Sequence, residues 1–121
     1  MNGGKLFIDT NIFINIGSGN FNLDEKLTGK TLYYSVITEI ELLGFHGISE
    51  YEKNFFAEIL NQCILLDISY AIRIKAIDLR RRYKLKTPDA VIAASAIELN
   101  IPLLTADKGF NKIKELKLTI V

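Results

Sequence analysis

The feature that most constrains the fold is a short apolar run that stops at an acid. Leu6, Phe7 and Ile8 are apolar, Asp9-Thr10-Asn11 follows, and apolar residues resume at Ile12. This pattern predicts a buried strand with polar side chains at its carboxyl end, followed by a helix. In open α/β sheets, ligands bind at that end of the strands. Asp9 is therefore the first candidate functional residue, although an acid in this place also serves as a helix cap.

The rest of the chain alternates strands with helices. Further strands are predicted at 31–35, 63–67, 102–105 and 118–121. Helices are predicted at 23–27, 38–43, 49–62, 69–83 and 88–100, with a last short helix after Asp107 and a loop at 17–22. The helix at 88–100 is apolar almost all round, which places it in a core. The alternation predicts one α/β domain over residues 1–121, a three-layer sandwich with a mainly parallel sheet between helices.

Size and composition narrow the class of protein. The chain has 121 residues, 49% of them hydrophobic, and a net charge of +1, so it suits one globular domain and is not an obvious polyanion binder as a whole. No apolar run approaches the roughly 20 residues of a membrane span, and no signal peptide precedes the first strand. A single cysteine, Cys63, is expected to be a buried thiol in a reducing cytoplasm, and the single His46 argues against a zinc site.

Acidic residues recur where the predicted elements begin or end. They are Asp9 after the first strand, Glu39 and Glu41 after the second, Asp89 at the apolar helix and Asp107 after the fourth strand. In a parallel sheet these junctions meet at one edge, where carboxylates repel one another unless a cation neutralises them. Hard oxygen ligands select Mg²⁺ or Mn²⁺, and such ions act on phosphate esters.

Each of these acids also has a purely structural interpretation. Asp89 at a helix start is stabilised by the helix dipole, and Asp107 is suited to cap the last helix. The run from Thr38 to Glu41 fits a capping box. Glu39 lies about 200° from Glu41 around a helix, so only one of them faces a given site, and periodicity alone does not decide which.

Three segments together carry a resemblance to a known family. They are IDTN at 8–11, SVITEIELLG at 35–44 and TPDAVIAASAIELNIPLLTAD at 87–107. In their order, spacing and flanking apolar residues they resemble the motifs of PIN-domain nucleases, and in particular of the VapC-type toxins of toxin–antitoxin pairs. The resemblance covers essentially the whole chain.

The resemblance implies an endoribonuclease that hydrolyses RNA with water activated by Mg²⁺ or Mn²⁺. It implies that the catalytic, metal-binding carboxylates are Asp9, Glu41, Asp89 and Asp107. Asn11 and Thr105 would support them through hydrogen bonds. It also implies a small antitoxin partner, a homodimer and a cytoplasmic location. One departure is Gly109, which stands where many relatives have a further acid, so a fifth carboxylate ligand is missing.

A basic segment precedes Asp89. Between residues 73 and 86 it carries seven lysines and arginines against the single acid Asp78, and it includes Arg80-Arg81-Arg82. These three arginines are candidate contacts for RNA phosphates, although a charged run is also typical of a solvated helix face. Phe45, Tyr51 and Tyr83 are aromatic candidates for stacking on unpaired bases or for ordinary packing.

Two alternatives to a nuclease remain open. One is a PIN-like RNA-binding module without catalysis, although all four principal acids are present. The other is a phosphoacceptor receiver domain, which has a similar length and an acidic Mg²⁺ pocket. Receiver domains carry an acid pair after the first strand, whereas here Thr10 follows Asp9.

Overall fold

The computed structural model describes residues 4–19 and 27–121. Part of the loop predicted at 17–22 and nearly all of the short helix predicted at 23–27 lie outside these residues. Within them, no helix is long and apolar enough to cross a membrane.

A parallel sheet forms the centre of the described structure. Its strands are β1 (Lys5–Ile8), β2 (Thr31–Ser35), β3 (Ile64–Leu66), β4 (Leu103–Thr105) and β5 (Leu118–Ile120). All neighbouring pairs are parallel, and their order is β3-β2-β1-β4-β5. The chain therefore runs from β1 to one side of the sheet and returns to β4 on the other. The carboxyl ends of β1 and β4 border the crevice at this switch point, which is where open α/β sheets bind ligands.

Helices connect the strands. They are α1 (Thr10–Gly17), α2 (Val36–Leu43), α3 (Glu50–Leu60), α4 (Tyr70–Arg82) and α5 (Thr87–Leu99), followed by a short 3-10 helix at Lys108–Lys112. Ser49 and Glu52 form the predicted capping box at the start of α3. The predicted α/β sandwich is confirmed.

Two predicted helix starts were wrong. Helix α2 begins at Val36, because the Oγ of Ser35 accepts a hydrogen bond from the amide of Ile37 at 3.0 Å and caps it there. Thr38 therefore lies inside the helix, and the proposed capping box from Thr38 to Glu41 does not form. At α5 the cap position is Lys86, which makes no side-chain cap bond, so Thr87 belongs to the helix rather than preceding it.

The sheet separates two apolar layers. Successive strand residues face opposite ways, so Phe7 and Leu103 pack with α4 and α5, while Ile8 and Leu104 pack with α1, α2 and α3. Phe7 pairs with Leu103 and Ile8 with Leu104 across β1 and β4, so each layer receives a matched pair. This pairing places the carboxyl ends of β1 and β4 side by side at the same edge of the sheet.

Helix α5 is the most deeply buried helix, as its composition predicts. Every residue from 90 to 96 is buried, and four of these seven are alanines. Small side chains allow close approach to α4 and to the sheet, so α5 is held rigidly and fixes the position of Asp89 in its first turn.

Cys63 lies half-buried beside the α1–α3 layer, where its Sγ contacts the carbonyl oxygen of Ile59 at 3.5 Å. Burial raises the pKa of the Cys63 thiol to about 11. Little thiolate is present at neutral pH, which suits a structural residue.

A charged cluster ties the end of α4 to the segment before β5. The guanidinium of Arg82 donates to Asp78 at 2.6 Å and also to Glu115, and the hydroxyl of Tyr83 donates to Glu115 at 3.1 Å. The hydrogen bond from Arg82 is the main reason that the pKa of Glu115 falls to about 2. Arg82 therefore acts as a structural tie between two parts of the chain.

We expect Arg82→Ala to lower the urea midpoint of unfolding at pH 7, and Arg81→Ala, on the exposed side of the same helix, to leave it nearly unchanged. Because the pKa of Glu115 is lowered in the folded chain, its contribution is complete above its ordinary value of 4.5 and is lost as the pH falls toward about 2. The gap between Arg82→Ala and the wild type should therefore narrow over that interval. A gap that stays constant down to pH 3 would contradict the assignment.

Candidate active site

Asp9 lies at the carboxyl end of β1, with only 5% of its surface exposed. Its Oδ1 accepts from the amide of Thr10 at 2.8 Å, which makes Asp9 the cap of α1. Its Oδ2 accepts from the Asn11 side chain at 3.0 Å and from the Thr105 hydroxyl at 2.7 Å. The helix-cap interpretation of Asp9 is therefore correct, and it leaves the carboxylate held in one orientation at the switch point.

Thr105 connects the ends of β4 and β1. It is fully buried, donates to Asp9, and accepts from the amide of Asp107 at 3.0 Å through the same hydroxyl. Asn11 forms a second connection, because its Oδ1 accepts from the amide of Ala106 at 3.1 Å. Both residues predicted to support the acids thus bind Asp9 directly and join it to the segment that carries Asp107.

Glu41 is connected to Asp9 through Thr10, whose amide donates to Asp9 and whose hydroxyl is also bonded by Thr38. The hydroxyl of Thr10 donates to Glu41 at 2.7 Å, and it lies 2.9 Å from the hydroxyl of Thr38. Because the single hydrogen of Thr10 goes to Glu41, Thr38 is the donor in the second bond. Sequence reasoning missed Thr10 and Thr38 as site residues. The sequence signal that could have identified them is their spacing, since Thr10 directly follows Asp9 and Thr38 precedes Glu41 by three residues.

The four predicted carboxylates line one pocket of about 770 Å³. They come from four different elements and are Asp9, Glu41, Asp89 and Asp107. Asn11 also lines it, whereas Glu39 does not. Of the two glutamates that periodicity could not separate, Glu41 is the one that faces this pocket.

The opposite wall of the pocket is apolar and aromatic. It is formed by residues of α1, α3 and the segment between α2 and α3, which are Ile14, Phe45, Tyr51, Phe55 and Phe56. Tyr51 is 79% exposed and Phe45 is 42% exposed, so this wall opens to solvent beside the acids. Two of the three aromatic residues considered for base stacking are therefore at the site. The third, Tyr83, belongs to the Arg82 cluster instead.

The acids influence one another electrostatically. Burial raises the pKa of Asp9, the hydrogen bonds from Thr105 and Thr10 oppose that rise, and the charges of Asp89 and Asp107 add to it. Burial also raises the pKa of Asp89, and the charges of Asp107 and Glu41 raise it further. The folded chain thus holds these anions together against their mutual repulsion, a pattern that is enriched at functional sites.

A sequence model of the PIN domain matches residues 6–116. The chain belongs to the PIN domain family. No curated protein sequence matches it. The family assignment removes the receiver-domain alternative.

Solved structures of toxin–antitoxin proteins have the same fold as this PIN domain. VapBC2 from Rickettsia felis, bound to a promoter DNA fragment, superposes with a TM-score of 0.83 at 22% identity, covering 96% of this chain and 98% of that one. A toxin–antitoxin complex from Klebsiella pneumoniae gives 0.78 at 30% identity, covering 92% and 94%. VapBC-1 from nontypeable Haemophilus influenzae gives 0.81 at 23% identity, covering 96% and 97%. The PIN domain is thus similar to VapC-type chains over nearly its whole length.

The donor set of this PIN domain fits a hard divalent cation. The pocket offers carboxylate, hydroxyl and amide oxygens, and neither Cys63 nor His46 lines it. Within the described residues, no three side chains of the types Asp, Glu, His and Cys are gathered closely enough to form a complete metal site. Glu41 and Asp107 are the two exposed acids of the four, so they are the ones that solvent and ions reach most easily. Charge and ligand type therefore fit the ion.

The three candidate RNA-binding arginines of the PIN domain have different surroundings. Arg82 is engaged by Asp78 and Glu115, and the Nε of Arg80 donates to the carbonyl oxygen of Leu85 at 3.1 Å. Arg81 is exposed. None of the three lines the acidic pocket.

We expect Thr105→Val to destabilise the PIN domain by about 1–3 kcal/mol, because the buried Asp9 carboxylate loses a donor while the side-chain volume hardly changes. The measurement is urea unfolding in EDTA, so that metal binding does not contribute. Thr119→Val is the matched control, since Thr119 lies on β5 and is exposed. Equal midpoints for the two variants would contradict a supporting role for Thr105.

Proposed function

We propose that this PIN domain is a Mg²⁺- or Mn²⁺-dependent endoribonuclease and the toxin of a toxin–antitoxin pair, acting as a cytoplasmic homodimer. The observation that carries the proposal is the pocket in which Asp9, Glu41, Asp89 and Asp107 converge from four elements. Their oxygen atoms are suitable ligands for a divalent cation, and the charge of the cation would offset their mutual repulsion. The similarity to solved toxin–antitoxin structures supports the biological role.

Each carboxylate has its own support for this task. Asp9 is fixed by Thr10, Asn11 and Thr105, so it is the most rigid of the four. Glu41 is oriented by the hydroxyl of Thr10. Asp89 is held by the buried helix α5, and Asp107 caps the 3-10 helix through the amide of Gly109 at 2.8 Å. These four would hold the cation, and their backbone positions are set by packing rather than by the ion.

When bound, the cation supplies Lewis acidity, which lowers the pKa of water and offsets charge on a phosphate oxygen. The protein residues position these reactants. The hydrogen bonds from Thr38 to Thr10 and from Thr10 to Glu41 orient the Glu41 carboxylate, and the Thr105 hydroxyl holds that of Asp9. The raised pKa values of Asp9 and Asp89 mean that acid removes charge from the site, so we expect activity to fall as the pH falls.

The antitoxin part of the proposal rests on the shape of the same pocket. Its apolar wall, with Phe45 and Tyr51, lies beside the carboxylates. An antitoxin segment with apolar residues against this wall and a basic side chain among the acids would exclude both RNA and the cation. The basic side chain would then inhibit the enzyme by competing with the cation for the carboxylates.

We expect Glu41→Gln to lower RNA cleavage by about 100-fold or more, because it removes a charged ligand while the amide oxygen still accepts from Thr10. Glu39→Gln removes the same charge two residues away, outside the pocket, and should retain cleavage. The measurement is cleavage of a labelled cellular RNA pool in Mg²⁺, with equal unfolding midpoints for both variants as a check on folding.

EDTA should abolish cleavage by the wild type in the same assay, and excess Mg²⁺ or Mn²⁺ should restore it. Cleavage that persists in excess EDTA would contradict the metal-dependent mechanism. RNA binding without cleavage in either metal would favour the non-catalytic RNA-binding module.

Expression of the wild-type chain alone should arrest bacterial growth and fragment cellular RNA, since nothing then covers the pocket. The matched control is expression of Glu41→Gln at the same level, which should permit growth. Normal growth with intact RNA during strong expression of the folded wild type would argue against the toxin role.

A further inference from the structure

A second, smaller cavity lies on the other side of two of the acids. It measures about 140 Å³, and Asp89 and Asp107 line both this cavity and the large pocket. Three lysines also line it, with a few uncharged residues between them, and they are Lys84, Lys86 and Lys112. The two acids therefore form a ridge with an aromatic-walled pocket on one side and a lysine-lined cavity on the other.

The three lysines are not neutralised by the protein. The ammonium group of Lys112 donates to the carbonyl oxygen of Lys84 at 2.9 Å, which holds it across the cavity. No lysine of the three forms an ion pair with an acid in residues 4–19 and 27–121. The charges of Lys86 and Lys112 reach Asp89 and oppose the rise in its pKa, so they lie near the ridge without contacting it as partners.

Arg82 provides the contrast. Its guanidinium is shared between Asp78 and Glu115, so its charge is already balanced within the protein. The lysines of the small cavity have no such balance, although two acids stand beside them. Three lysines against two carboxylates leave one net positive formal charge around this opening, and the lysine ammonium groups are suitable partners for an anion from outside the chain.

Size and position identify the class of that anion. A cavity of about 140 Å³ is well below the roughly 300 Å³ of the smallest ligand pockets, so it suits a single charged group rather than a whole molecule. Gly109 lines it and adds no side chain, which keeps it open. A nucleic-acid strand that places one phosphate at the acids brings the next phosphate within reach of the opposite face of the ridge.

We propose that the cavity lined by Lys84, Lys86 and Lys112 binds the RNA phosphate next to the one that is cleaved. This inference rests on the proposed nuclease function and assigns the phosphate contacts to these lysines rather than to Arg80-Arg81-Arg82. The lysines are positioning residues, because they hold the strand and do not touch the reacting atoms.

The test is the salt dependence of RNA binding. A fluorescent single-stranded RNA oligonucleotide of mixed sequence is titrated with each protein across a KCl series, in EDTA so that the strand stays intact. Lys84→Gln, Lys86→Gln and Lys112→Gln should each weaken binding and flatten the log–log slope, up to the total of about 0.7 that belongs to one phosphate on a single strand. Lys86→Arg, which keeps the charge, should keep the slope.

Lys117→Gln is the matched control. It removes the same charge from an exposed lysine, and the carbonyl oxygen of Lys117 accepts from Leu103 at the start of β4, so it lies at the edge of the sheet opposite to the acids. Its slope should equal that of the wild type. Because the side chain of Lys112 bonds to the backbone of Lys84, unfolding midpoints of the cavity variants are measured in parallel. If Lys112→Gln is destabilised, the result for Lys86→Gln decides, since the Lys86 side chain forms no ion pair within the described residues.

Slopes for Lys84→Gln and Lys86→Gln that match the slope for Lys117→Gln would overturn the proposal. Cleavage in Mg²⁺ is measured separately on the wild type. Flattened slopes without any cleavage would leave the phosphate site standing and refute the nuclease. Cleavage with unchanged slopes would refute the phosphate site and leave the nuclease proposal standing.

Discussion

The structure depends on placing one buried carboxylate, that of Asp9, between the ends of two parallel strands. An anion so enclosed is costly unless donors surround it. The donors come from both sides of the switch point, Thr10 and Asn11 from α1 and Thr105 from β4. The level pairing of β1 with β4 in the apolar layers makes this convergence possible. The core of the sandwich and the chemistry of its edge are thus connected through a few hydrogen bonds.

Two clusters of charge in the described structure differ in kind. In the first, Arg82 pairs with Asp78 and Glu115, and the pKa of Glu115 is lowered as a result. At the carboxyl edge like charges are gathered, and the pKa values of Asp9 and Asp89 are raised. The first arrangement stabilises the fold, while the second works against it and is tolerated because α5 and the sheet hold the backbone. The two clusters of acids thus differ in the direction of their pKa shifts, since the pKa is lowered where a cation is the partner and raised where burial and neighbouring carboxylates act together.

Local sequence patterns correctly predicted the helices and strands that are determined by residues close together in the sequence. The apolar run before Asp9 and the continuously apolar α5 needed no tertiary information, and the capping box at Ser49 formed as expected. The predicted start of α2 was wrong because Ser35, and not Thr38, caps the helix. The hydroxyl of Thr38 is bonded instead to that of Thr10 in α1. Helical periodicity left the choice between Glu39 and Glu41 open, and only the resemblance of residues 35–44 to a family motif favoured Glu41. The pairing of Arg82 with Glu115 depends on a contact between distant segments, which no pattern within one segment contains.

Under the two proposals, the two cavities that border Asp89 and Asp107 would bind different ligands. An antitoxin segment that fills the large pocket would cover the carboxylates and the aromatic wall, where Phe45 and Tyr51 offer apolar area. The cavity at Lys84, Lys86 and Lys112 lies beyond the ridge and would remain open to an anion. Under the two proposals, inhibition and substrate positioning therefore use separate surfaces that meet at Asp89 and Asp107. Because both acids border both surfaces, a ligand on either side changes the electrostatic potential on the other side. A phosphate in the lysine cavity would add negative charge beside Asp89 and Asp107 and strengthen their attraction for a basic antitoxin side chain, whereas a cation in the large pocket would weaken it.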